Sequence, residues 1–185
     1  MRELEDVALA FDRACRKAGV AYALLDGIAV VAWGQPRMTM DVDALVRLTA
    51  ATAGRLATAT GQEGLRASEE DLREALRDGS HATVFDVQSS LHVNIKIARS
   101  LEEISEVEDA VEVPFGTGSL RIVRAEDTIA YKLKFGSDQD LTDARSILAR
   151  RAGKLDMARL DRLCLKLGVA KTLKHVRDPV ARATK

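Results

Sequence analysis

The sequence predicts an α/β (α+β) domain: a mixed, mostly antiparallel sheet flanked by helices on one side, with a helical C-terminal extension. Three observations lead there. Short β-like apolar runs cluster in the middle of the chain. Apolar residues at helical spacing occupy both ends. Between them, an alternating segment carries two aspartates two positions apart, Asp41 and Asp43. With 185 residues, 46% of them apolar, the chain can bury one core and carry a helical addition.

The elements follow in order. Leu4, Val7, Phe11 and Cys15 share one face, which predicts a helix over Glu3–Ala18, ended by Lys17-Ala18-Gly19. Tyr22–Leu25 is a short apolar run, expected as a buried strand. Asp26-Gly27 is a turn signal, and Ile28–Trp33 fits a short helix or a strand. Gly34-Gln35-Pro36 breaks the chain, and Asp41–Val46 alternates as a strand. Ala50–Ala59 is helix-prone. Ser68-Glu69-Glu70-Asp71 resembles a capping box and opens a helix to about Leu76. Ala82–Gln88 and Leu91–Ile97, joined by Ser89-Ser90, read as a hairpin, and Leu120–Val123 as a last short strand. From Ala125 the pattern is helical. The expected division is therefore a core over 1–124 and a helical subdomain over 125–185, with a ligand cleft between them.

Composition narrows the functional classes. No apolar run approaches the roughly 18 residues of a membrane span, and Met1–Asp6 lacks a signal-peptide pattern. Cys15 and Cys164 have neither metal-ligand nor redox spacing, so both are expected as buried thiols in the reducing cytoplasm. His81, His92 and His175 are too dispersed for a zinc site. The net charge is zero, yet residues 144–185 hold twelve Lys/Arg and three Asp, and Leu101–Glu112 holds six acidic residues and no basic one. The basic segment is either a set of solvated helix faces with internal pairing or a face for nucleic acid or an acidic partner chain.

The chemistry concentrates in residues 25–46. Residues i and i+2 of a strand point to one face, with Cα atoms roughly 6–7 Å apart, so Asp41 and Asp43 can converge on one hard cation. They can also bridge two cations about 3.5–4 Å apart, as in phosphoryl transfer. Arg37, Thr39, Asp41 and Asp43 all share the period-2 face. A cation, a hydroxyl and two carboxylates would then line one wall, the mixture that a magnesium triphosphate needs. The competing arrangement is an Arg37–Asp41 ion pair. Gly27, just after the buried strand, is where backbone amides can approach a phosphate.

The pattern Gly-x-Ala, then Gly-x-x-Arg-x-Thr-x-Asp-x-Asp before an apolar strand, resembles the nucleotidyltransferase superfamily with the polymerase-β-type core. It is most similar to the branch of AbiEii-type toxins and minimal or antibiotic-modifying nucleotidyltransferases. A looser match covers 125–133, resembling a family helix that bears a lysine, Lys132, and Asp140-Leu141-Thr142-Asp143, resembling a later Asp-Leu-x-Asp. The resemblance implies Asp41 and Asp43 as ligands of Mg²⁺ or Mn²⁺. It places Gly27, Arg37, Thr39, Asp140 and Asp143 around an NTP, and Lys132 at phosphate or developing charge.

Two positions depart from the pattern. Asp26-Gly27 stands where the family has Gly-Gly or Gly-Ser. Asn94 stands where a third carboxylate is expected, and an amide cannot accept a proton as a base. His92 and Lys96 share the face of Asn94, offering another base or phosphate contact, unless the three form an ordinary polar sheet face. Three functions follow. The first is transfer of a nucleoside monophosphate to a tRNA, protein or small-molecule acceptor, in a toxin–antitoxin setting or outside one. The second is a fold that has lost turnover and binds a partner protein. The third is a plain α/β domain with a coincidental Asp-x-Asp.

Overall fold

The computed structural model describes residues 2–183, and the side chains of 2–177. Two compact units emerge, one comprising residues 1–28 and 39–123 and the other residues 29–38 and 124–185. Residues 29–38 thus cluster with the C-terminal helices, although they precede most of the sheet in sequence.

The first unit is built on a seven-stranded mixed sheet. Its strands are β1 (Ala21–Leu25), β2 (Val42–Arg47), β3 (Leu65–Arg66), β4 (His81–Asp86), β5 (His92–Ile97), β6 (Val111–Phe115) and β7 (Gly118–Ile122). The spatial order is β3-β4-β5-β2-β1-β7-β6. The β2–β5 and β1–β7 pairs are parallel and the other four antiparallel. The hairpin read at Ser89-Ser90 is β4–β5, and its register sets Thr83 opposite Asn94 and Phe85 opposite His92.

Helix α1 (Leu4–Ala18) buries the apolar stripe expected of it and ends on Gly19 at φ 65, a left-handed C-cap that only glycine adopts without cost. It packs on the face of β1 that carries Tyr22. The Phe11 and Tyr22 rings meet edge-on at 5.6 Å, and the Tyr22 hydroxyl donates to Asp12 at 2.5 Å. Helices α3 (Ala50–Gln62) and α4 (Glu69–Asp78) start at Thr49 and Ser68, whose hydroxyls accept backbone N–H bonds.

The expectation of helices on one side needs correction. Helix α5 (Leu101–Glu108) lies on the other face. Its Glu108 pairs with Arg47 at 2.6 Å and its Glu103 with Lys96 at 2.8 Å, and both basic residues point away from the Tyr22 side. Part of the acidic run at 101–112 is thereby a salt-bridged helix, not a free charge patch.

The second unit holds α2 (Asp26–Trp33) from Ala29 onward, and α6 (Ala125–Phe135), α7 (Asp138–Arg150), α8 (Met157–Lys166) and α9 (Ala170–Ala183). Its core includes Ile129, Leu133, Ile147, Leu148, Leu160, Leu173 and Val176. Cys15 and Cys164 are both buried, as expected. Among the described residues, no helix is long and apolar enough to cross a membrane.

Candidate active site

The carboxylates sit where three strands end together. Antiparallel pairing puts Asp43 opposite Leu25, the last residue of β1, and parallel pairing puts it beside Asn94 of β5. One pleat upstream, Asp41 is level with His92, because Val42 pairs with Val93. Asp41, Asp43, His92 and Asn94 therefore form a square on one sheet face. The Asn94 amide donates to Asp43 Oδ1 at 3.2 Å, and His92 Nε2 lies 3.8 Å from Asp41 Oδ1.

The electrostatics of the square are unfavourable as they stand. Burial pushes the Asp43 carboxyl above the ordinary aspartate value, and the Asn94 hydrogen bond offsets part of that. The negative charges of Asp26 and Asp41 push it up further. Neither Asp41 nor Asp43 has a lysine or arginine partner among the described residues. The donor set suits a hard cation: two carboxylates and a side-chain carbonyl. Among the described residues, no three Asp, Glu, His or Cys side chains can jointly hold a metal ion. The protein would thus supply at most two charged ligands. That fits Mg²⁺, which is commonly bound through one or two carboxylates, with phosphate oxygens and water completing the octahedron.

Gly27 and Thr39 form the adjoining wall. Gly27 lies in the first turn of α2, and a Cβ placed on it would come within 2.1 Å of Thr39 Oγ1 and 2.9 Å of Thr39 Cβ. The contact needs a residue without a side chain. Just before it, Asp26 has φ 49, the one non-glycine residue with positive φ among those described. That left-handed conformation favours glycine, and aspartate tolerates it better than most residues. It also explains why a Gly-Gly or Gly-Ser pair would serve at this turn.

The shared face of Arg37 and Thr39 with the carboxylates does not form. Strand β2 begins only at Val42, because β1 stops at Leu25, opposite Asp43, and β5 starts at His92. Residues 34–41 have no neighbour to pair with, so the alternation in sequence has no ladder to enforce it. Thr39 folds back onto Gly27. Among the described residues, the ion pair of Arg37 is made with Asp143, within the helical unit. Its guanidinium engages Asp143, with Nε 3.0 Å from Oδ1 and Nη2 2.9 Å from Oδ2.

Asp143 belongs to a second cluster, within the helical unit. Lys132 Nζ lies 2.9 Å from Asp140 Oδ1 and 3.7 Å from Asp143 Oδ2, and Gln139 donates to Asp143 at 2.8 Å. Asp143 is 3% exposed and Lys132 6%. Burial alone would raise the Asp140 carboxyl, but hydrogen bonds from Ser137 and the charge of Lys132 outweigh it and hold the group below the usual range. Arg37, Lys132, Asp140 and Asp143, read separately in the sequence, are thus one charge network. Lys96 stands apart from the square. It pairs with Glu103, whose carboxyl is held down at about 2: burial opposes this, while Lys96 and the N–H groups of Arg99 and Ser100 outweigh it.

Sequence reasoning missed the continuation of the square across the sheet. His92 is followed by Phe85 on β4 and Arg66 on β3, in one row running outward from Asp41. A turn at Ser89-Ser90 alone would set Phe85 opposite Asn94; the wider 87–91 connection sets it opposite His92, and the two-residue β3 is too short to carry a periodic signal.

No protein-family model matches the chain, and no curated protein matches its sequence. Solved structures do. The solution structure of the antibiotic-resistance factor ANT(2'')-Ia superposes with a TM-score of 0.59 at 14% identity, over 92% of this chain and 95% of that one. The crystal structure of ANT(2'')-Ia in complex with adenylyl-2''-tobramycin gives 0.59 at 14% identity, over 88% and 95%. An antigenic nucleotidyltransferase-like protein from Paracoccidioides brasiliensis gives 0.55 at 14% identity, over 94% and 91%. The fold is of the nucleotidyltransferase type.

Proposed function

We propose that this chain is a nucleotidyltransferase, transferring a nucleoside monophosphate from an NTP to an acceptor with release of pyrophosphate. The observation that carries the reading is the square of Asp41, Asp43, His92 and Asn94 at a strand end, which sets two like charges together with no lysine or arginine partner among the described residues. Asp41 and Asp43 would hold Mg²⁺ or Mn²⁺. When bound, the ion supplies charge neutralisation at the triphosphate.

The chain's own residues divide the remaining work. Asn94 fixes the Asp43 carboxylate by donating to it, so it serves orientation and not proton abstraction. Gly27 admits the Thr39 side chain in the first turn of α2, the helix end whose N–H groups would face phosphate. Arg37 and Lys132 are the cations assigned to the nucleotide, with Asp140 and Asp143 as the groups that orient them. The acceptor oxygen bonds to the α-phosphorus, the bond to pyrophosphate breaks, and the acceptor proton leaves to solvent. Catalysis of this kind rests mainly on positioning and charge, so it survives without a third carboxylate.

The acceptor classes are a tRNA end, a protein or a small molecule, with the basic 144–185 segment as the surface for a macromolecule in the cytoplasm. A toxin–antitoxin setting belongs to the same reading. The test is incubation with each NTP labelled at the α-phosphate, Mg²⁺ or Mn²⁺, and bulk tRNA. Label transferred by the wild type and lost in Asp41→Asn supports the reading. Absence of transfer from every NTP, with no nucleotide-induced thermal shift, counts against it.

A second reading is a fold that binds a partner protein without turnover. Asp26 favours it, since its charge adds to the repulsion on Asp43 where a triphosphate would lie. It predicts a stable protein complex indifferent to Asp41→Asn.

A further inference from the structure

The row beyond the metal pair carries a feature that nucleotidyl transfer itself does not use. Arg66, Phe85 and His92 stand side by side on β3, β4 and β5, on the sheet face that bears Asp41 and Asp43. The Arg66 guanidinium lies over the Phe85 ring, 5.8 Å from its centroid, and the Phe85 and His92 rings are 6.2 Å apart. Phe85 is nonetheless 46% exposed, in a sheet whose opposite face is covered by α1, α3 and α4. The open ring offers a flat apolar surface on which another ring can stack.

Arg66 sharpens the question. Among the described residues it has no carboxylate partner, and its one described side-chain interaction is the ring of Phe85. A flat ring beside an unpaired guanidinium matches a ligand that is itself a ring joined to a phosphate. Strand addition at the open edge of β3 would extend the sheet and leave the Phe85 ring, which stands on its face, uncovered. A polycationic acceptor would be repelled by Arg66.

We infer that Phe85, with Arg66 and His92, is a stacking platform for the terminal base of a single-stranded nucleic acid, and that this strand end is the acceptor. Phe85 lies two strand spacings, about 10 Å, from the Asp41 strand, so a nucleoside stacked on it points its sugar toward the carboxylates. Arg66 takes the adjoining phosphate. Stacking tolerates any base, so the platform reads an end and not a sequence. The inference deepens the nucleotidyltransferase reading and rests on it for the word acceptor. The binding itself needs neither NTP nor metal.

The experiment uses the full chain in EDTA without nucleotide. A short single-stranded oligoribonucleotide and its counterpart ending in an abasic ribose are titrated by fluorescence anisotropy. Phe85→Leu is expected to weaken binding about five- to thirtyfold, Phe85→Tyr to retain it, and the abasic end to bind the wild type as weakly as the normal end binds Phe85→Leu. Arg66→Gln is expected to lower the salt dependence by about one phosphate contact. Equal affinity of Phe85→Leu and wild type overturns the platform, as does equal affinity for the two ends. Because no transfer is measured, this failure is distinct from failure of the labelled-NTP assay. Phe85-dependent binding without transfer would remove the acceptor role and leave the platform.

Discussion

Gly27 offers a perturbation whose sign can be worked from geometry. Gly27→Ala places a Cβ 2.1 Å from Thr39 Oγ1 and 2.9 Å from Thr39 Cβ. Rotating the hydroxyl away relieves the first contact but not the second, since Thr39 Cβ is fixed to the backbone. The segment leading to Asp41 must move by several tenths of an ångström. Overpacking of this kind costs about 1–3 kcal/mol. Gly27 otherwise has helical backbone in α2, so alanine there should be favourable by up to about 1 kcal/mol. The two terms separate in a double-mutant cycle with Thr39→Gly. In the wild-type background Gly27→Ala is expected to lower Tm, by about 2–4 °C per kcal/mol for a chain of this size. In the Thr39→Gly background it is expected to be neutral or stabilising. Thermal unfolding by circular dichroism reads both. The same loss in both backgrounds would refute the packing argument.

Other expectations follow from the charge networks. Asp143→Ala removes a buried carboxylate from Lys132 and the half-buried Arg37, and should cost about 3 kcal/mol in urea unfolding. Asp43 is raised in the folded state, so its ionised form destabilises the metal-free protein as pH rises past the unfolded value; Asp43→Asn should raise Tm at pH 7 in EDTA and do little at pH 3. Glu103 behaves oppositely. Its carboxyl is held at about 2, so its contribution is present above the unfolded value near 4.5 and fades as pH falls, and the deficit of Glu103→Gln at pH 7 should vanish by pH 2. Tyr22→Phe removes the buried donor to Asp12 and should cost about 1–2 kcal/mol.

Much of this was legible in the chain because the dominant signals are periodic. The α1 stripe, the β4–β5 hairpin and the helical C-terminal part follow from spacing alone. The family resemblance places Asn94 at the position of the third carboxylate, and it pairs beside Asp43. What escaped detection lacked a local signal. Strand β6 is interrupted by Pro114 just after the acidic run, and β3 has two residues, so neither reads as a strand. Helix α5 lies in the acidic run at 101–112, and its partners Arg47 and Lys96 sit on β2 and β5, far from any local signal. Arg37 failed for a different reason: the period of two was real in the sequence, but strand pairing ends at Asp43 on one side and His92 on the other. Its partner, Asp143, lies 106 residues away, a distance no motif spans.

The central claim is that Asp41 and Asp43 bind a metal-bound nucleotide. Thermal shift with Mg²⁺ and a nonhydrolysable NTP, together and singly, tests it most directly. The account predicts a rise in Tm when both are present, and little or none for NTP in EDTA or for the Asp41→Asn, Asp43→Asn double variant. An equal rise in that variant, or no response to the pair of ligands in the wild type, would contradict it.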